Sequence, residues 1–391
     1  MPIPVGDRIG TYALLRTSVI LGLLAGFALS PKLWVSSRFY PLTPVWSFLN
    51  PFSFPADYVV LFALVALLLA LIFAPRREIF AAVFVLITVL ALQDQSRWQP
   101  WFYQYVFMLL AIALAGSGPQ EAAFNTCCLV IAATYIWSGL AKLNPNFVSD
   151  IFPAFAEPFI AKGPAQAQWL VPRLAFVAPF LECAVGVGLL IRRIRPWALF
   201  CAMVMHAFIL IALGPLGRSF NAVIWPWNLA MIAFLLILFF RRAEKPALRD
   251  IVWGRGFVFQ KVVLILFGIL PALSGFHLWD DYLSSALYSG NVDSGVIYLS
   301  DDAFESLPDK IEDYVFEEGP NLSSLDINHW SFLEMNVPAY PEARIFRNVT
   351  RQICGYVSNG SGVELVIQEK LALINGRRRL LYHCSDLQGR F

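Results

Sequence analysis

Charge is scarce in this chain. Of its 391 residues only 14% are Asp, Glu, Lys or Arg, while 58% are apolar. A soluble domain carries about 25% charged residues, so a water-facing globule is excluded and lipid must cover much of the surface. The formal charge of +2 sets up no field that would recruit nucleic acid. Histidine is rarer still: there are four, and only His206 lies within a long apolar run. No second histidine stands in the spans to complete a bis-histidine haem site. There is no phosphate loop, no metal-spaced Cys/His cluster, no serine nucleophile elbow, no internal repeat and no long linker. Cys127, Cys128, Cys183 and Cys201 lie in apolar runs and read as small buried hydrophobes. Cys127 and Cys128 are adjacent, which is the wrong spacing for thioredoxin-like exchange.

What is abundant is apolar length. Runs at 10–29, 58–74, 79–93, 101–116, 121–143, 174–191, 197–214, 221–240 and 257–276 approach the roughly 20 residues that a helical span needs. The third and fourth are the shortest. The first, with Arg8 and Arg16 near its start and small residues near Ser30, also has the outline of a signal peptide. Two proline-rich loops, 30–57 and 144–173, interrupt the runs, and the first is rich enough in Trp and Tyr to read as an ordered interfacial loop.

With the N-terminus inside, the cytoplasmic segments hold Arg8, Arg76, Arg77, Arg192, Arg193, Arg195, Arg241, Arg242, Lys245, Arg249, Arg255 and Lys261. The opposite segments hold Lys32, Arg38, Arg97, Lys162, Arg173 and Arg218, thinly spread. That is the positive-inside pattern. The expected fold is an all-α polytopic membrane bundle of about nine spans over 1–276, followed by a small non-cytoplasmic α+β domain over 277–391. In that domain the sequence predicts helices over 278–288, 301–316 (N-capped by Asp301) and 341–354, a strand over 296–299, and a hairpin of 363–368 with 379–383 around Asn375-Gly376. Cys354 and Cys384 then end a helix and a hairpin strand, and in an oxidising compartment they form a disulfide.

Ionisable groups at membrane depth are expensive and often functional. Lys142 ends the fifth run. It either snorkels to water or is an amine held in an apolar pocket and usable as a base. Glu182 stands early in the sixth run and needs a proton or a partner. Lys142 shares its side of the membrane, and the pair reads equally as a fold-fixing ion pair or a proton relay. His206 reads as an interhelical hydrogen bond rather than a metal ligand. The stretch from Gly214 to Asn228 places Arg218, Asn221 and Asn228 among Trp225 and Trp227. Arg218 there either binds an anionic group, with Asn221, Trp225 and Asn228 completing a substrate site, or is an ordinary interfacial arginine in an aromatic belt.

Ser138-Gly-Leu-Ala-Lys-Leu-Asn-Pro145, Pro179-x-x-Glu182 and the intramembrane His206 resemble two related membrane families over about 120–240. One is the DoxX/DoxD/MauE group of small redox-associated proteins. The other is the membrane domain shared by vitamin K-dependent gamma-carboxylase and its bacterial HTTM relatives. The carboxylase resemblance implies about nine spans, an outward-facing site and Lys142 as the base that deprotonates a quinol, with Ala141 standing where that family has a second lysine. The tail pieces Trp279–Leu283, Leu287–Asn291 and Asn336–Glu342 look like a domain found behind HTTM-type membrane domains.

Two functions follow. The first is a non-catalytic or assembly subunit of a membrane redox complex of DoxX/HTTM type, partnered by the lipid bilayer, other membrane subunits and a periplasmic protein, in a bacterial inner membrane. The alternative is a carboxylase-like enzyme acting on a quinol or other lipid-soluble substrate, with Lys142 as base tuned by Glu182 or His206. No metal is implied, and a quinone or quinol is the one cofactor the resemblance admits.

Overall fold

The computed structural model describes residues 5–116, 118, 120–160, 165–242, 246–254, 256–357, 360–372 and 376–387. Each of the nine apolar runs forms a helix. In chain order the helices are α1 (Val5–Leu29), the short α2 (Pro31–Trp34), α3 (Ala56–Phe73), α4 (Arg77–Gln93), α5 (Pro100–Ala115), α6 (Gln120–Ala141), α7 (Phe152–Ile160), α8 (Ala165–Leu190), α9 (Arg195–Leu213) and α10 (Ile224–Leu235). α10 continues as a π-helical turn, Leu236–Phe240. After α11 (Leu248–Val252) and α12 (Val258–Val263), π and 3₁₀ turns carry the last helical rod to Phe276. Among the described residues six of these helices are long and apolar enough to cross a membrane, and the chain is an integral membrane protein. Those of α4, α5 and α10 are shorter.

α6 is the axis of the bundle: 72% of its apolar window is buried, against 50% or less for the other five long helices. Close approaches use glycine. A Cβ on Gly22 or Gly26 of α1 would stand 2.6 Å from Tyr105 or 2.4 Å from Trp101 of α5, so this small-x-x-x-small stripe lets a helix backbone lie against aromatic rings.

The loop 144–173, read as irregular from its prolines, is largely helical. A π-turn (Phe147–Ile151) leads into α7, and α8 starts at 165 with Pro172 and Pro179 inside it. A neighbouring helix can absorb the carbonyls that such prolines leave free. The first loop is ordered by charge. Asp94, fully buried, accepts from Arg38 Nη2 at 2.5 Å, Thr43 Oγ1 at 2.9 Å and the Ser96 amide at 3.0 Å. Arg97 donates to the Leu33, Leu90 and Trp34 carbonyls.

The C-terminal sheet is antiparallel throughout, in the order β2-β3-β1-β4-β5. Its strands are β1 (Ser294–Leu299), β2 (Phe316–Gly319), β3 (Leu322–Asp326), β4 (Val363–Gln368) and β5 (Arg379–His383). The predicted hairpin is present as the β4–β5 pair. Asn375 lies outside the described residues, and Gly376 has φ +67°. Helix α16 (Ala343–Cys354) matches expectation, and Cys354 is disulfide-bonded to Cys384.

Three expectations fail. Residues 278–288 form turns with a single 3₁₀ turn (Tyr282–Ser284), because His277, Ser285 and Tyr288 take positive φ. The helix over 301–316 is two short pieces, α13 (Asp301–Phe304) and α14 (Asp309–Glu312), separated at Pro308, and its N-cap is Ser300 rather than Asp301. Strands β2 and β3 and helix α15 (Ile327–Met335) were not foreseen.

The domain is tied to one face of the bundle by polar contacts. Glu334 accepts from the Phe39 and Tyr40 amides, both at 2.7 Å, and from Trp330 Nε1 at 3.0 Å. Asn336 donates to the Leu29 carbonyl, Gln99 to that of Pro338, Asn144 to that of Ser289, and Arg344 to Gln95 Oε1. The C-terminal end of α1, the α4–α5 turn, the segment after α6 and the end of the last helical rod therefore share this face. Near it, Arg344 pairs with Asp280 and Glu342, and Lys370 pairs with Asp281, which also accepts from Ser274. Burial, reinforced by neighbouring Asp280 and Asp281, pushes the Glu342 carboxyl up to about 8, and burial pushes Asp281 up to about 6.

Both carboxyls hold a proton more firmly in the docked fold than in the unfolded chain. Their contribution is full below the ordinary carboxylate range and is lost as pH rises through about 6 and then about 8. The unfolding midpoint of the full chain should therefore fall between pH 5 and pH 9, and Glu342→Gln should flatten that slope. An identical slope in the variant would contradict the assignment.

Candidate functional site

The close contact of α6 with α8 fixes the position of the charged pair. A Cβ on Gly139 would meet Cys183 Sγ at 2.6 Å and its backbone nitrogen at 2.7 Å, and the Pro179 carbonyl at 2.7 Å. A Cβ on Gly186 would meet the Ala132 carbonyl at 2.7 Å. Only hydrogen at these positions lets the two backbones touch. Lys142 lies three residues after Gly139 and Glu182 three after Pro179, so the same contact brings the two side chains together. Lys142 Nζ stands 2.8 and 3.0 Å from the Glu182 carboxylate oxygens and 2.5 Å from Ser138 Oγ. The ammonium thus has a partner for each of its protons, and its place at the C-terminal end of α6 suits the helix dipole. Asn144 Nδ2 donates to the Ala141 carbonyl at that end and also to the Ser289 carbonyl of the C-terminal segment.

A second string of polar groups runs across α6, α9 and α10. Tyr135 Oη lies 2.5 Å from His206 Nε2, and His206 Nδ1 lies 2.7 Å from Asn228 Oδ1. Asn228 Nδ2 donates to the Ile224 carbonyl at 2.8 Å, which leaves its oxygen facing the imidazole. His206 therefore donates from Nδ1, and in the neutral ring Nε2 accepts from the tyrosine hydroxyl, so that both nitrogens are engaged.

Both strings line one cavity of about 80 Å³, whose wall includes Tyr135, Ser138, Lys142, Glu182, His206, Trp227, Asn228 and Tyr288. Lys142 and Glu182 each keep only 12–13% side-chain exposure. Leu287 and Tyr288 come from the C-terminal segment, so the domain forms part of the wall. Asn221, at φ +48°, holds Tyr288 by a 2.5 Å hydrogen bond to its hydroxyl, and Phe155 packs edge-on against the ring.

The predicted site residues separate into two groups. Lys142, Glu182, His206 and Asn228 converge, and Asn221 reaches the cavity through Tyr288. Arg218 lies outside it, half-exposed, paired with Glu157 at 2.7 Å and bonded to the Ala154 carbonyl. Trp225 also lies outside; its indole caps the end of α9 at the Leu213 carbonyl. The sequence reading missed Tyr135, Ser138 as a hydrogen-bonding group, Trp227 and Tyr288. Tyr135, Ser138 and Lys142 are spaced i, i+3, i+7 on one helix face, a signal that would have joined the first two to the site. No local pattern announces Tyr288, which arrives from beyond the last span. Among the described residues no three His, Cys, Asp or Glu side chains gather as a metal site.

Residues 120–224 match the model of a family described as methylamine utilisation protein MauE. The match runs from α6 to the first residue of α10 and contains Lys142, Glu182 and His206. No curated protein and no solved structure matches the chain.

Replacing Gly139 by Ala should force α6 and α8 apart and cost about 1–3 kcal/mol, the range for an overpacked contact. Gly10→Ala, where a Cβ meets nothing within 4 Å, is the control and should leave thermal unfolding in detergent unchanged. Equal behaviour of the two variants would show that the α6–α8 contact does not set the site.

Proposed function

We propose that this chain is a non-catalytic or assembly subunit of a membrane redox complex, of the kind that the DoxX/MauE group represents. The carrying observation is that Lys142, Glu182, Ser138, Tyr135, His206 and Asn228 are all partnered within one cavity wall. Charges matched in this way keep helices in register. The family match over α6 to α10 supports the redox association.

In this reading residues 1–276 cross the membrane nine times, with the N-terminus in the cytoplasm and 277–391 in the periplasm of a bacterial inner membrane. Support comes from the helix ends. Those that meet the soluble domain carry few arginines. The opposite ends gather Arg76, Arg77, Arg192, Arg193, Arg195, Arg241 and Arg242. In this reading its partners are the bilayer, other membrane-complex subunits and a periplasmic protein.

A second reading is favoured by a specific feature: three ionisable groups from α6, α8 and α9 line one cavity, part of whose wall comes from the C-terminal segment. A carboxylase-like or HTTM-type enzyme would use Lys142 as the base toward a quinol, once the ammonium has passed one proton to the Glu182 carboxylate 2.8 Å away and stands as a neutral amine.

Cross-linking in native membranes followed by affinity purification separates the two. The subunit reading predicts one defined membrane or periplasmic partner near equal stoichiometry, retained by Lys142→Ala. A monodisperse monomer, together with quinol turnover that disappears in Lys142→Ala, would overturn it in favour of the enzyme.

A further inference from the structure

At the bundle end opposite the soluble domain, Arg195 opens α9 and is 2% exposed. Its Nε donates to the Leu189 carbonyl at 2.7 Å, and Nη2 reaches the carbonyls of Leu190 and Pro246. Nη1 is buried with no partner. Among the described residues no carboxylate pairs with this guanidinium. Two cationic groups, Arg192 and Arg242, act on it, and Arg242 is itself engaged by Glu121 and Asn125. A buried positive charge without a counter-ion is costly, and the deficit calls for an anion.

Arg195 is one of the residues in the wall of a cavity of about 360 Å³ between α9 and α10. The remaining wall is apolar and includes Leu199, Phe200, Met203, Leu236 and Phe240. Three of its members, Leu236, Phe239 and Phe240, belong to the π-helical turn Leu236–Phe240, a widening that recurs at functional sites. The Phe239 ring stands 5.7 Å from the guanidinium carbon. Phe200 and Phe240 are 63% and 70% exposed, on a flank where the outside medium is hydrocarbon. The ligand must therefore bring a negative charge to a helix end and an alkyl chain to an adjoining apolar slot, and must arrive through lipid.

We propose that this cavity binds an anionic phospholipid, with its phosphate on Arg195 and one acyl chain between α9 and α10. Basic pockets between membrane helices take such head groups. The site lies at the other end of the bundle from the Lys142 cavity, and its occupancy is independent of what that cavity does.

The test is native mass spectrometry of the full chain, delipidated and titrated with phosphatidylglycerol, phosphatidylcholine or inorganic phosphate. Phosphatidylglycerol should bind at one saturable site at least tenfold more tightly than phosphatidylcholine, and inorganic phosphate should not displace it at equal concentration. Arg195→Gln should abolish the preference. Leu199→Trp, which fills the slot and keeps the arginine, should weaken phosphatidylglycerol by a similar factor, so the result does not depend on the arginine variant folding. Equal binding of the two lipids by the wild-type chain, competition by inorganic phosphate alone, or full binding by Leu199→Trp would each overturn the proposal.

Discussion

A lysine and a glutamate inside an apolar bundle have to meet. The desolvation penalty for either ion alone is several kcal/mol, and only mutual attraction with good hydrogen bonds offsets it. Lys142 and Glu182 come from helices 40 residues apart in sequence, so their pairing fixes how α6 and α8 cross. Gly139 and Gly186 supply the closeness, and Ser138 takes the third ammonium proton. With α6 and α8 locked, α9 and α10 bring His206 and Asn228 to the same cavity, and the residues after α6 reach the C-terminal segment at Ser289 and Gly290 through Asn144 and Asn146.

The C-terminal segment with its sheet is equally constrained. Its contacts are made by turns and side chains rather than by sheet edges. Glu334 holds two loop amides at once, while Arg344 and Lys370 balance a dense group of carboxylates. Of the residues beyond Phe276, Leu287 and Tyr288 line the cavity, and Tyr288, in a left-handed conformation rare for an aromatic residue, completes the wall.

Much of this could be read from the chain itself. Apolar run length located the bundle helices among the described residues, six of them long and apolar enough to cross a membrane. The isolated ionisable residues Lys142, Glu182 and His206 marked the cavity because lipid leaves so few alternatives for such groups. The β4–β5 pair and the Cys354–Cys384 bridge followed from alternation and from cysteines in a polar tail. The failures share a cause. Pro158 and Pro172 read as breakers because a single sequence does not show the neighbour that satisfies their freed carbonyls. Residues 278–288 read as a helix because their periodicity is helical, while long-range bonds to Glu342, Ser274 and Asn221 hold them in turns. Arg218 read as a ligand group because its partner Glu157 lies in a segment taken as loop.

The account rests on the Lys142–Glu182 pair acting as a matched, fold-fixing unit, and a double-mutant cycle measures this directly. Thermal unfolding of the full chain in nanodiscs should show Lys142→Met and Glu182→Met each costing about 3–5 kcal/mol, since each leaves one buried charge alone. The double variant should recover most of that loss, because neither charge remains. Additive losses, or single variants as stable as the wild type, would contradict the account.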